Sequence, residues 1–331
     1  MRIRPQATLE QRIALRAAQA RIQRPDVALE IVHSYLDAVI EPESVVCSLQ
    51  SVHPDRFVLL VRLRSTAGED LGCALKVYAD DFGEQTWALA QALKEQDPSN
   101  HTGLCLPRRY IPEEHTLVFP WVDGVRLSDI VDDRKPDLLR RAAVLVAELH
   151  RTPPNGLPTL TPQAVVAEAL DRCSRLRSRW PWMGATVIPL VRLLEEAATE
   201  LDPARPALIH GDLAAGQFLW TGDRLVLLDL DTAGQSDPAY DVGHFLGQLE
   251  RRCVRDLTLP EHAKRWLADF RQAYAATDME VSWRNVSFYQ GVTLLRKMYT
   301  VCHRNPVEGR WLAARLGERA RAAFESVVPP K

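Results

Sequence analysis

At 331 residues the chain is long enough for one bilobal fold or two domains. Hydrophobic residues make up 46% and charged residues 25%, an ordinary globular balance, and a formal net charge of −2 offers no bulk attraction to nucleic acid. No apolar run reaches the roughly eighteen residues of a membrane-spanning helix, and the Arg-rich opening lacks the apolar core of a secretory signal. The six cysteines (Cys47, Cys73, Cys105, Cys173, Cys253, Cys302) are scattered with no C-x-x-C pair. They read as free thiols of a reducing cytoplasm rather than a disulfide framework or a zinc site. Nothing in the composition fixes an oligomeric state.

Residues 8 to 40 carry two helical patterns. Leu9, Ile13, Ala17 and Ala20 recur at helical spacing, as do Leu29, Val32, Tyr35, Leu36 and Val39, with Pro25 as the break. From 45 to 79 the chain becomes β-rich. Runs at 45–49, 57–61 and 72–78 are separated by turn-like breaks and predict an antiparallel meander. A helix over 81–96 follows, then strands at 108–111 and 116–119. PWVDGVRL, from Pro120 to Leu127, is a linker with Pro and Gly breaks. Beyond it the patterns are mostly helical: 137–150, 163–179, 189–201, then 240–255, 261–276, 282–304 and 309–326. The expected organisation is a helical extension over 1–42, a sheet lobe over 43–120 and a helical lobe over 121–331.

The most informative stretch runs from His210 to Asp241: HGDLAAGQFLW, a turn at TGDR, then LVLLDLDTAGQSDPAYD. Asp212, Gln217, Asp229 and Asp231 fall within twenty residues, around two apolar strand-like runs. A hairpin of this kind brings Gln217 and Asp229 to the same end. The cluster is rich in oxygen donors and suits Mg²⁺, which usually takes only one or two carboxylates from protein. The spacing of Asp212 and Gln217 matches the H-R-D-x-x-x-x-N loop of protein kinases, and Asp229 ends the next strand.

HGD-L-x-x-x-N followed by D-x-D-x-A-G-x-x-D-P-A-x-D resembles the aminoglycoside phosphotransferase and choline kinase superfamily. The resemblance implies an α+β, bilobal protein-kinase-like fold: an N-terminal antiparallel five-stranded sheet plus one helix, and a mostly helical C-terminal lobe with the active cleft between them. It implies ATP and Mg²⁺ as cofactors and a small-molecule hydroxyl as acceptor. Asp212 is then the catalytic carboxylate that takes or orients the hydroxyl proton. Asp229 is a metal ligand. Gln217 stands where the family has Asn, the same amide oxygen on an arm one methylene longer. Asp231, two residues on along a strand, is read either as a metal ligand or as a structural partner.

Further roles follow from the same resemblance. Lys76, in Ala-Leu-Lys-Val-Tyr, matches the third-strand Lys that binds phosphates. Its expected partner is Glu84 on the next helix, with Asp80 and Asp81 as competitors. No glycine-rich loop is present, and 49–54 takes its place, where Ser51 and backbone N–H groups either meet phosphate or form an ordinary turn. The linker resembles the adenine-binding hinge. Pro120 has no N–H, which leaves Val122 as the donor, while Trp121 either stacks on the base or packs on protein. His210, Asp237 and Asp241 are expected to support the loop, and His150, at the end of a helix, is read as packing. Arg296, Lys297, His303, Arg304 and Arg310 form a basic set that suits an anionic or sugar acceptor better than a polycation, unless they are a solvated helix face. Trp180 and Trp182 offer sugar stacking or core packing. Two other readings stand beside the small-molecule kinase. One is a pseudokinase or nucleotide-gated binding protein, prompted by Gln217 and the missing glycines. The other is a protein kinase, disfavoured because only about ten residues separate Asp229 from Asp241.

Overall fold

The computed structural model describes residues 7–33, 36, 38–96, 103–154, 156–256 and 260–329. In chain order its elements are α1 (Leu9–Ile22), α2 (Pro25–His33), β1 (Val46–Val52), β2 (Arg56–Arg64), β3 (Asp70–Tyr78), α3 (Gly83–Gln96), β4 (Arg109–Ile111), β5 (Thr116–Pro120) and β6 (Val125–Arg126). Then come α4 (Lys135–Arg151), α5 (Pro162–Arg179), α6 (Gly184–Thr199), β7 (Ala207–Ile209), β8 (Phe218–Trp220), β9 (Leu225–Leu227) and β10 (Gly234–Ser236). The chain ends in α7 (Ala239–Arg255), α8 (Pro260–Ala275), α9 (Trp283–Arg304) and α10 (Pro306–Glu325). The chain divides into two compact units. One holds the residues up to Val125 together with Leu219–Asp231, and the other holds Arg126–Phe218 and Thr232 onward. The fold is α+β and protein-kinase-like.

In the first unit five antiparallel strands lie in the order β1-β2-β3-β5-β4. Alternation along β3 sorts its side chains by face. Cys73, Leu75 and Val77 join one core with Phe57, Leu59 and Val61 of β2 and with Leu15, Ile22, Ala28 and Val32 of α1 and α2. Tyr78 belongs instead to a second cluster with Phe82 and Leu117. Lys76 lies two residues before it and so shares that side of the strand. α1 starts on a reciprocal cap: the Thr8 hydroxyl accepts from the Gln11 N–H, and the Gln11 amide oxygen accepts from the Thr8 N–H.

The second predicted helix is shorter than its pattern. It stops at His33; Leu36 lies beyond it, and Val39 is 72% exposed. Tyr35 lies outside the described residues. The cause is pairing. Ile40 forms a β-bridge with Ser65 and the Val39 carbonyl accepts from Thr66, so the chain is already extended there. α6 starts earlier than expected, at Gly184, because the turn Pro181–Met183 feeds directly into it and Pro189 sits inside the helix. The residues expected to replace a glycine loop are mostly strand: β1 runs to Val52 with a register shift between Leu49 and Ser51.

The second unit is built on α7 and α9. α7 is buried over most of its length and α9 over half, and two glycines set their spacing. A Cβ on Gly243 would lie 2.5 Å from the Val286 carbonyl oxygen, and one on Gly247 would lie 2.9 Å from the Thr293 Cβ. Only glycine at both positions allows this approach. Among the described residues no helix is long and apolar enough to cross a membrane. Gly243→Ala should push α7 off α9 and cost about 1–3 kcal/mol, as overpacked cores do. A thermal melt checks this. A melting temperature equal to wild type would show that the two helices separate at no cost.

Candidate active site

Each unit carries one cluster of chemically capable side chains. In the sheet unit the cluster centres on Lys76. Its ammonium meets the Asp229 Oδ1 at 2.5 Å and the Asp231 Oδ2 at 2.8 Å. Burial alone would lower the Lys76 pKa, but the two carboxylates more than offset it and hold the pKa above its ordinary value. The residue is a permanent cation at neutral pH. Asp231 is enclosed, at 6% exposure, and its Oδ1 accepts from the Tyr78 hydroxyl at 2.8 Å and the Thr86 hydroxyl at 3.4 Å. Asp229 is the open member of the pair, with 30% of its side chain exposed. Its backbone is left-handed, φ 65°, a conformation that costs a non-glycine residue on the order of 1 kcal/mol or more.

This geometry departs from expectation in two ways. Glu84 is exposed on the first turn of α3, and the ion-pair partners of Lys76 are Asp229 and Asp231. α3 instead reaches this cluster through Thr86, two residues further on. Of the two competitors to Glu84, Asp80 caps the Phe82 N–H at 3.1 Å, and Asp81 is exposed. Asp231, for its part, is not on a strand. Leu230–Thr232 form a short 3₁₀ turn, which directs the carboxylate toward Lys76 and Tyr78.

The linker is held by its own contacts. The Trp121 N–H donates to the Gly72 carbonyl at 3.0 Å and is engaged, which leaves Val122 as the next candidate donor. The Trp121 indole N–H donates to Asp123 at 2.8 Å, and its Cβ lies 2.9 Å from where a Gly72 side chain would begin. Trp121 is therefore packed on β3. Ser51 sits half-buried in β1, opposite Val58.

In the helical unit the loop around Asp212 is fixed from below. Asp241 is fully buried at the start of α7. Its carboxylate accepts from the His210 N–H at 2.5 Å, from the Gly211 N–H at 2.9 Å and from the His150 ring at 3.2 Å. The other nitrogen of that ring lies 2.7 Å from the Tyr274 hydroxyl. Burial pushes the Asp241 pKa up, but the His150 hydrogen bond and the neighbouring His and N–H groups bring it below the carboxylate range. Gly211 has φ 84°, and a Cβ there would strike the Thr232 carbonyl oxygen at 2.2 Å. Asp237 accepts from the Ala239 N–H and the Asn285 amide, and burial raises its pKa.

Asp212 itself projects outward, with 57% of its side chain exposed. Its Oδ1 lies 3.2 Å from the His244 Nε2, while the His244 Nδ1 lies 3.0 Å from the Thr293 hydroxyl. Local burial works to raise the Asp212 pKa; the His244 hydrogen bond, then Lys297 and His210, outweigh it and leave the carboxyl below its usual value. His244 is buried, which lowers its own pKa despite Asp212. It is neutral at pH 7, and its Nε2 lies between the Asp212 carboxylate and the Gln248 amide nitrogen. Gln217 ends the short turn Ala215–Gln217 and is half-buried.

The motif reading missed His244, although it lies one helical turn after Asp241 and so on the same side of α7. Tyr78 and Thr86 were also missed, since neither residue type announces a carboxylate partner. The basic set divides. Arg296 and Lys297 are half-buried near Asp212, whereas His303, Arg304 and Arg310 are exposed. Arg310 lies over the Trp182 ring, and Trp180 is buried beside Tyr299. Among the described residues no group of three or more His, Cys, Asp or Glu side chains is poised to hold a metal. Asp229 is a partly exposed carboxylate, and one or two such oxygen ligands are what Mg²⁺ takes from protein when phosphates complete its shell.

A family model described as the phosphotransferase enzyme family matches residues 88–286, more than half of the chain. The chain belongs to that family. No curated protein matches by sequence. Among solved structures, the macrolide 2′-phosphotransferase MphH from Brachybacterium faecium aligns with a TM-score of 0.59 at 17% identity, covering 92% of this chain and 99% of that one. A choline/ethanolamine kinase family protein from Mesorhizobium loti aligns at 0.57 and 17%, covering 94% of each. Amicoumacin kinase hAmiN, in complex with AMP-PNP, Ca²⁺ and Ami, aligns at 0.61 and 13%, covering 96% and 98%. At these identities the likeness establishes the fold.

The His244 pKa has a consequence for stability. A group whose folded pKa is depressed contributes stability above its unfolded pKa, about 6.5 for His, and loses it as pH falls through the folded value. Thermal stability should therefore decline as pH drops below about 6.5, before the carboxylates titrate. His244→Gln should flatten that part of the profile. An unchanged acid limb in the variant would show that His244 titrates normally in the folded protein.

Proposed function

We propose that the protein transfers the γ-phosphate of ATP to a hydroxyl group of a small molecule. The observation that carries this reading is the meeting of Lys76 with Asp229, a strand Lys and a post-hairpin Asp separated by 153 residues. That pairing is what a phosphate–metal site requires, a permanent cation for phosphate oxygens beside a carboxylate for the ion. In this reading Lys76 binds the α- and β-phosphates, and Asp231, Tyr78 and Thr86 fix the Lys76 ammonium. Asp229 holds Mg²⁺. When bound, the ion neutralises charge on the phosphate oxygens. The base rests against the linker backbone, with Val122 as donor.

Asp212 receives the acceptor hydroxyl. Its lowered pKa keeps it ionised at pH 7, and His244 holds its orientation. Transfer of a phosphoryl group passes through a loose transition state, so an aimed carboxylate matters more than a strong base. The use of ATP is supported by the AMP-PNP complex of hAmiN. The six free thiols fit a cytoplasmic setting.

Two variants separate the parts. Mg²⁺-ATP at about one hundred times its dissociation constant should stabilise the wild type by about 2.7 kcal/mol. That gain should vanish in Asp229→Ala. It should persist in Asp212→Asn, in which ADP release with an acceptor should drop by about 10³-fold or more. Turnover within a few-fold of wild type in Asp212→Asn would sink the assignment. Stabilisation by nucleotide with no turnover for any hydroxyl compound would favour a nucleotide-gated binding protein, the reading that Gln217 prompts.

A further inference from the structure

The carboxylate of Asp212 stands beside a group of cations that outnumbers the acids around it. The group is built on three helices of one unit. His244, Gln248 and Arg251 follow one another along one face of α7. The Gln248 amide nitrogen lies 3.2 Å from the His244 Nε2, and the Arg251 Nε donates to the Gln248 amide oxygen at 3.2 Å. A continuous chain of contacts thus runs from Asp212 through His244 and Gln248 to Arg251. On α9, Thr293 touches His244, and Lys297 lies one turn further along, next to Arg296. On α5, Glu168 binds both Arg172, at 2.7 Å, and Arg296, at 2.9 Å.

The charges do not balance. Arg172 and Arg296 share the single carboxylate of Glu168. Lys297 has no ion pair among the described residues; it feels Asp212 on one side and Arg251, Arg296 and Arg172 on the other. Its pKa is pushed down to about 8, by burial first and then by those guanidiniums. Arg251 is also half-buried. Its neighbours Arg255, Arg304 and Arg252 are all cations, and each works to lower its pKa. Partly buried cations crowded together are costly, and their presence beside a carboxylate marks a ligand's place. Arginine's planar fork and lysine's point charge both suit oxyanions. A polycationic acceptor would meet repulsion here.

We propose that the acceptor is a hydroxyl compound carrying a carboxylate or a phosphate ester, and that Lys297 and Arg251 bind this anionic group while Asp212 receives the hydroxyl. The proposal rests on the phosphotransferase reading for the role of Asp212. Neither cation takes part in the transfer; both select the acceptor.

The test uses one polyol skeleton in different charge states. Binding of D-gluconate, D-glucose 6-phosphate, D-glucose and D-glucosamine to the full chain is measured by calorimetry in the presence of Mg²⁺ and AMP-PNP. At least one of the two anionic compounds should bind about tenfold or more tightly than glucose, with glucosamine weakest. Which of the two wins tells carboxylate from phosphate. Arg251→Gln and Lys297→Met should each remove the preference, and Lys297→Arg should keep most of it. AMP-PNP affinity should stay within about twofold in all three variants. Equal binding of the whole series, tighter binding of glucosamine, or no binding by either anion would overturn the proposal. A parallel loss of AMP-PNP affinity would assign the cations to the nucleotide's own phosphates and overturn it as well. Failure of AMP-PNP to bind the wild type is a separate result: it would strike the phosphotransferase reading, while the charge series without nucleotide would still report on the cation group.

Discussion

The helical unit depends on one buried carboxylate. Asp241 has no access to water, and its charge is tolerable only because backbone N–H groups and a histidine ring surround it. Those same N–H groups belong to His210 and Gly211, so satisfying the carboxylate and fixing the loop are one event. Gly211 supplies the left-handed turn that lets two successive N–H groups point inward. Asp212, the next residue, is thereby thrown outward. The exposure of Asp212 is a by-product of the needs of the buried Asp241.

α7 performs a second task three residues further on. His244 lies on the turn after Asp241, and the glycines on either side of it bring α9 close enough for Thr293 to reach its ring. The imidazole is thereby held between the Thr293 hydroxyl on one nitrogen and the Asp212 carboxylate on the other. In the other unit the Lys76 group works by the opposite rule. There the cation is buried and two carboxylates converge on it, one enclosed and one open. The enclosed Asp231 is tied by Tyr78 and Thr86, which leaves Asp229 as the member with room for a further partner.

Much of this was legible in the sequence, and the part that was not has physical reasons. Alternation in β3 separates Leu75 and Val77 from Lys76 and Tyr78, so the odd Lys stands out in an apolar run. The HGD loop and the D-x-D after the hairpin stand out by their fixed spacings. The partner of Lys76 was not legible, because any acid brought near by tertiary packing can fill that place, and local helix order favoured Glu84. Asp231 and Leu36 show a related limit. A two-residue spacing reads as a strand face until a 3₁₀ turn intervenes, and a helical stripe reads as a helix until an edge bridge such as Ile40 to Ser65 pulls the chain straight. His244 needed knowledge of which helix α7 packs against.

The sheet unit is assembled from two separated stretches, with Leu219–Asp231 added to the residues before Val125. On a ribosome the five-stranded sheet and Lys76 emerge long before Asp229 and Asp231 are synthesised. Until then the growing chain carries a cation whose burial nothing compensates, and that side of β3 has reason to stay hydrated. Chains are made at about 5–20 residues per second, so the 153-residue gap is a delay of roughly eight to thirty seconds. During that interval the α1–α2 core can close over one face of the sheet while the other waits. The sheet unit is thus complete only once the acids after the hairpin have been made.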